Sequence, residues 1–272
     1  MTMRTNWRVL APGPSDRALL AVDFGPGRRE AGFSTLVANL APDAVVWQPV
    51  FMPQTDDPVE GTDPDVCVRG WLDDLRDAGL EVCGVLGYCA GAALALRAAE
   101  LVKESGQGDP ALILFDPARV DSEVIQELFV TSAEGYAELL PPERIEAAVS
   151  AAASITDSLG EDIGRRPAGT LTDAMRELQH VYDGVVRDAC AALGADEEVG
   201  KGFSERFAAF LSYLITAGRA GAYPADSGKP MIVVSQNHVP EGFGVASHRV
   251  PVPRAELLAD PATARLVAEV VR

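Results

Sequence analysis

Through the first 119 residues, short apolar runs alternate with segments whose apolar residues recur every three or four positions. Residues 17–24 form such a run, centred on Leu19, Leu20, Ala21 and Val22 and closed by Gly25-Pro26-Gly27. Residues 30–40 place Phe33, Leu36, Val37 and Leu40 on one helical face. A second apolar run covers residues 44–50. An Asp/Pro-rich loop over 53–65 precedes an amphipathic helix over 66–78, with Val68, Trp71, Leu72 and Leu75 inward. Residues 82–86 read as a buried strand, the Ala/Leu-rich stretch from Ala90 as a helix, and residues 111–115 as a further strand ending at Asp116-Pro117. This alternation predicts an α/β protein, a mostly parallel sheet flanked by helices.

The pattern then changes. Residues 120–221 carry helical periodicity only, with candidate helices at 123–140, 142–159, 171–193 and 203–217. Strand character resumes at 230–235. A short strand is expected within 245–253 and a closing helix over 257–271. The expected organisation is a core of residues 1–119 and 222–272 interrupted by a helical insertion, 120–221. Such an insertion serves either as a lid or as a separate helical domain. Its aromatic residues, Phe129, Tyr136, Tyr182, Phe203, Phe207, Phe210 and Tyr213, line a hydrophobic pocket or simply make the insertion's own core.

Composition narrows the partners. The 272 residues are 47% hydrophobic and 23% charged, ordinary for a folded domain of this size. A net charge of −17 argues against nucleic acid or an anionic membrane surface as partner, since both would repel it. No apolar run reaches the roughly 20 residues of a spanning helix, and the N-terminus lacks an apolar signal region, so a cytoplasmic protein is expected. The four cysteines, Cys67, Cys83, Cys89 and Cys190, form no C-x-x-C pair and are expected to be free thiols. The histidines His180, His238 and His248 lack i, i+4 spacing, so neither a metal nor another cofactor is expected.

Chemistry concentrates at Gly87-Tyr88-Cys89-Ala90-Gly91. The spacing is that of a nucleophile elbow with Cys in place of Ser, set between a strand and a helix. Small residues are needed two before and two after the nucleophile because the turn is too tight for side chains there. The following helix points its N–H groups and positive dipole end at the sulfur, which favours a thiolate. The alternative is a Gly-rich turn holding an inert buried Cys, the expectation for Cys67, Cys83 and Cys190. Backbone N–H groups of Ala90 and of Gly27, in the loop after the first strand, are the candidate oxyanion donors. Asp116, at the end of the next strand, would lie on the same sheet edge and could orient a base; it could equally be a turn former.

Together Gly87-Tyr88-Cys89-Ala90-Gly91, Phe24-Gly25-Pro26-Gly27 and Leu114-Phe115-Asp116 resemble the α/β-hydrolase thioesterases of polyketide and nonribosomal-peptide assembly lines. The resemblance implies an α/β-hydrolase fold with a helical lid. It also implies an acyl-enzyme intermediate and, as partner, an acyl or peptidyl carrier protein bearing a phosphopantetheine-linked substrate, or coenzyme A. The dienelactone hydrolases have a similar Gly-Tyr-Cys elbow but place their acid after a later strand, where Ser235-Gln236-Asn237 offers none. The thioesterase layout puts a histidine before the Leu257-Leu258 stretch, and Arg254 stands there instead. Arginine cannot accept a proton at neutral pH. The base is then His248, or His238, or no histidine at all; His180 reads as a helix-surface residue. Arg254 could pair with Asp116 or hold a carboxylate or phosphate. A weak base suits transfer of the acyl group to another thiol or amine better than hydrolysis, which needs an activated water. Three functions are open: hydrolysis of acyl thioesters, acyl or aminoacyl transfer, and a catalytically degenerate binding protein.

Overall fold

The computed structural model describes residues 7–24, 30–51, 63–221 and 229–271. They divide into two compact units. The first draws on Met1–Val50, Asp63–Arg119 and Ala220–Arg272, and the second on Phe51–Thr62 and Val120–Arg219.

The first unit is built on strands β1 (Trp7–Ala11), β2 (Arg17–Val22), β3 (Val45–Pro49), β4 (Glu81–Tyr88), β5 (Ala111–Phe115), β6 (Met231–Val234) and β7 (His248–Arg249). They form one sheet in the order β1-β3-β2-β4-β5-β6-β7, parallel throughout except for the β1–β3 pair. The helices of this unit are α1 (Phe33–Leu40), α2 (Pro64–Asp77), α3 (Gly91–Glu104) and α8 (Pro261–Val270). The sheet alternation sorts side chains to its two faces. Leu19, Ala21, Leu86, Tyr88, Ile113, Phe115 and Val233 share a buried cluster with Leu36 of α1 and Ala264 and Val267 of α8. Gly87 points the other way, towards α3: a Cβ there would lie 2.7 Å from Ala95 Cβ and 2.8 Å from Ala92 Cα. Only glycine lets the helix approach that closely. The strand order reverses between β2 and β4, so the carboxyl end of β4 lies at the switch point where open α/β sheets bind ligands.

The second unit contains α4 (Ser122–Glu134), α5 (Pro142–Asp157), α6 (Ala168–Leu193) and α7 (Glu197–Arg219). Tyr182 and Phe207 stack at 4.0 Å between centroids, and Phe129 meets both edge-on. Tyr136 adds edge contacts to Tyr182 and Phe203, and its hydroxyl lies 3.3 Å from that of Tyr182. These rings pack on one another as the unit's own core. Burial, with the Tyr136 contact, pushes the Tyr182 phenol well above its ordinary range.

Three elements depart from the sequence expectation. Strand β1 has no clean in/out alternation, and its Val9 is half exposed, so an edge strand went unread. The last strand shrinks to two residues, because Pro251 and Pro253 follow it and cannot donate to a ladder. The closing helix starts at Pro261, where the Asp260 carboxylate accepts the N–H groups of Ala262 and Thr263. Leu257 and Leu258 lie before it, fully buried.

Candidate active site

Cys89 follows β4 directly and adopts φ 54°, the left-handed region that a Cβ disfavours. Such a backbone costs about 1–3 kcal/mol and needs its surroundings to hold it. The Cys89 N–H donates to the Phe115 carbonyl at 3.0 Å. The Cys89 carbonyl accepts from Ala92 N–H at 3.1 Å and Ala118 N–H at 3.3 Å. The turn is thus clamped by α3 on one side and by the end of β5 on the other. Ala90 is the buried N-cap of α3, so its N–H belongs to the set a helix leaves without an intrahelical carbonyl. The second expected donor, Gly27, lies outside the described residues.

Asp116 also has positive φ, 38°, and is fully buried. Its N–H donates to the Val233 carbonyl at 3.0 Å, and its Oδ1 accepts the Ser235 N–H at 2.7 Å. Among the described residues Oδ2 has no hydrogen-bond partner. No histidine occupies it. His238 turns to Pro117, its Nε2 lying 2.9 Å from that carbonyl oxygen. The strand registers Tyr88↔Phe115, Phe115↔Val233 and Val233↔His248 put His248 level with the elbow along the strand direction. It is three strands out, however, about 14 Å at the usual strand spacing, and exposed. His180 is exposed on α6. The structure therefore brings neither His248 nor His238 onto Cys89.

Arg254 is the residue it does bring. It opens a short 3-10 turn, Arg254–Glu256, after β7. Its Nη2 donates to Cys89 Sγ at 2.8 Å and its Nε to the Tyr88 hydroxyl at 3.2 Å, and its guanidinium carbon lies 5.5 Å from the Tyr88 ring centroid. Glu30, not Asp116, is its acid: Glu30 Oε1 lies 3.6 Å from Nε, and Glu30 Oε2 accepts the Tyr88 O–H at 3.0 Å. Burial works against the charge on Arg254, but Cys89, Tyr88 and Glu30 more than offset it, so the guanidinium is held above its ordinary pKa. This site presents a permanent cation to the sulfur where an imidazole would offer an exchangeable proton. Sequence reasoning placed Arg254 near Cys89 but missed Glu30, which carries no motif and lies 224 residues before Arg254 in sequence.

The other thiols differ. Burial, and secondarily Asp63, pushes Cys67 up to about 12. Burial likewise raises Cys83, whose Sγ donates to the Ala18 carbonyl. Cys190 is half-buried on α6. Among the described residues no group of three His, Cys, Asp or Glu side chains is arranged to hold a metal, and no helix is long and apolar enough to cross a membrane.

No protein-family model matches the sequence, and no curated protein does. Solved structures do match in fold. A four-domain nonribosomal peptide synthetase, bound to AMP and glycine, aligns with 97% of this chain at 14% identity and a TM-score of 0.54. The chain spans 20% of that synthetase's length. The Vlm2 thioesterase domain, with a genetically encoded 2,3-diaminopropionic acid and a bound dodecadepsipeptide, aligns over 98% of this chain and 96% of its own at 16% identity, with a TM-score of 0.51. A second crystal form of it gives 97% of each chain, 15% and 0.52. The chain has the α/β-hydrolase fold, and its structural neighbours include a thioesterase domain and a nonribosomal peptide synthetase.

Proposed function

We propose that the protein is a thioesterase-like enzyme that accepts acyl or peptidyl groups onto Cys89 from thioesters of a carrier protein or coenzyme A. The observation that carries this reading is Cys89 itself: a cysteine held in a left-handed turn between β4 and α3, with Arg254 donating to its sulfur at 2.8 Å. In the reaction the Cys89 thiolate attacks the acyl carbonyl, and the Ala90 N–H receives the developing oxyanion. The Cys89 S–C bond forms, the donor's C–S bond breaks, and the donor leaves as a thiolate that takes a proton from solvent. One thiolate enters and one departs, so acylation needs no general base. The same balance holds when an acceptor thiolate removes the acyl group. Water must lose a proton to do so, and an arginine cannot take it. Transfer to a thiol is therefore the favoured fate of the acyl group over hydrolysis.

In this reading the helical unit is the lid, the setting is natural-product assembly in the cytoplasm, and the donor is a phosphopantetheine-linked group on a carrier. That unit's aromatic rings hold it together, so the acyl-binding surface is sought elsewhere. The test is mass spectrometry of the intact protein after incubation with short acyl-pantetheine thioesters. We expect a stoichiometric adduct on Cys89, absent in Cys89→Ala, discharged by added pantetheine at least about tenfold faster than by buffer alone. Discharge as fast in buffer would make it a hydrolase. No adduct with any thioester would leave a degenerate, binding-only fold.

A further inference from the structure

We propose that Glu30 and Tyr88 are positioning residues that hold the Arg254 guanidinium against the Cys89 sulfur. Carboxylate, guanidinium and thiolate then form a fixed ionic relay in the place where an acid, an imidazole and a thiol would otherwise work. The inference deepens the reading of Cys89 as nucleophile and rests on it.

The two segments that meet here are far apart in sequence and are joined at the backbone. The Ala31 N–H donates to the Ala255 carbonyl at 2.9 Å, one residue on from both Glu30 and Arg254. Further along, Asn39 Nδ2 donates to the Ala259 carbonyl at 3.0 Å, where α1 packs with α8. These contacts fix the distance between the carboxylate and the guanidinium. Tyr88 supplies the third side: it is fully buried, and its hydroxyl donates to Glu30 while accepting from Arg254 Nε. A guanidinium is planar, so fixing Nε fixes the direction of Nη2. Without that constraint a long arginine side chain gains rotamer entropy by leaving the sulfur.

Charge alone predicts the opposite role for Glu30. A carboxylate near a sulfur disfavours the thiolate, so a bystander Glu30 would hinder Cys89. It helps only through Arg254. The sign of one substitution thus separates the two cases. Asp116, at the end of β5, and His238, after β6, are further ionisable side chains near this edge; among the described residues neither hydrogen-bonds the sulfur, and both stay constant across the variants.

The experiment is iodoacetamide alkylation of the full-length protein over a pH series, with Cys89 quantified by peptide mass spectrometry. In Glu30→Gln and Tyr88→Phe, we expect the midpoint of the Cys89 alkylation curve to rise and the neutral-pH rate to fall by about threefold to tenfold. The direction matches Arg254→Ala, and adding Glu30→Gln to Arg254→Ala is expected to cost nothing further. A midpoint that falls or stays in Glu30→Gln, or effects that add in the double variant, would overturn the proposal. Glu30 is about a third exposed, at 32% of its side chain, on the rim of a polar cleft with Ser34, Thr35 and Gln48, so glutamine should be accommodated. Should Tyr88→Phe unfold, Arg254→Lys serves instead, since an ammonium cannot span Tyr88 and the sulfur with one rigid fork. A lysine variant indistinguishable from the parent would equally refute it. Alkylation needs no acyl donor, so failure of this relay and failure of the acyl-transfer reading register separately.

Discussion

The elbow and the far edge of the sheet belong to the same run of parallel strands, yet only at the elbow do the candidate side chains come together. At the end of β4 the turn is tightly built: Gly87 lets α3 close in, Cys89 sits at φ 54°, and neighbouring carbonyls and N–H groups clamp it. Across β5 to β7 the pieces of an acid–base pair exist but do not assemble. Asp116 keeps a buried oxygen with no partner, His238 faces a backbone carbonyl, and His248 is exposed three strands out. The side chains that do gather at Cys89 come from another direction, the 254–256 turn and the segment before α1.

The largest effect should come from breaking the elbow. In Gly87→Ala the new methyl meets Ala92 backbone and Ala95 at under 3 Å, with no flexible side chain to move aside. Overpacking of this kind costs about 1–3 kcal/mol. We expect stability to fall by that amount, read as a lower urea midpoint at unchanged slope, together with slower Cys89 acylation as α3 shifts from the turn. Unchanged stability would mean the elbow is looser than described.

A smaller effect is expected from Asp116→Asn, and it sharpens the contrast. Where a carboxylate orients a catalytic imidazole, amidation costs on the order of 10⁴ in rate. Here no imidazole touches Asp116, and the Ser235 N–H can still find an oxygen at Oδ1. Acylation of Cys89 should change by no more than about threefold, roughly 0.7 kcal/mol. A loss of several orders of magnitude in single-turnover assays would show that a histidine reaches Asp116 during the reaction.

Much of this was legible in the sequence, for reasons that differ by residue. Strands such as β4 and β5 are buried on both faces, so they read as unbroken apolar runs bounded by turn residues. The elbow announces itself because such a tight turn needs small residues two positions before and two after its central residue, here Gly87 and Gly91. Arg254 was visible as an arginine at the position where the resemblance to thioesterases implies a histidine. Glu30 was not, because its part in the site comes from the Ala31–Ala255 contact, a tertiary fact with no local periodicity behind it. Nor could register be read: that His248 pairs with Val233 rather than standing beside β4 follows from strand order, which the pattern of apolar residues leaves open.

The smallest effect is expected at His248. Its side chain is exposed on a two-residue edge strand, and the strand registers set it about 14 Å from the elbow. A substitution at such a surface position usually moves stability by less than about 0.5 kcal/mol. We expect His248→Ala to leave the rate of Cys89 acylation, and its pH profile through neutrality, within error of the parent. The pH profile is the stricter readout, since loss of a general base removes a limb of the curve even when the remaining rate is appreciable. If that limb exists and disappears in His248→Ala, the edge strand must fold inward during turnover, and the two sides of the sheet are not as unequal as their resting geometry makes them.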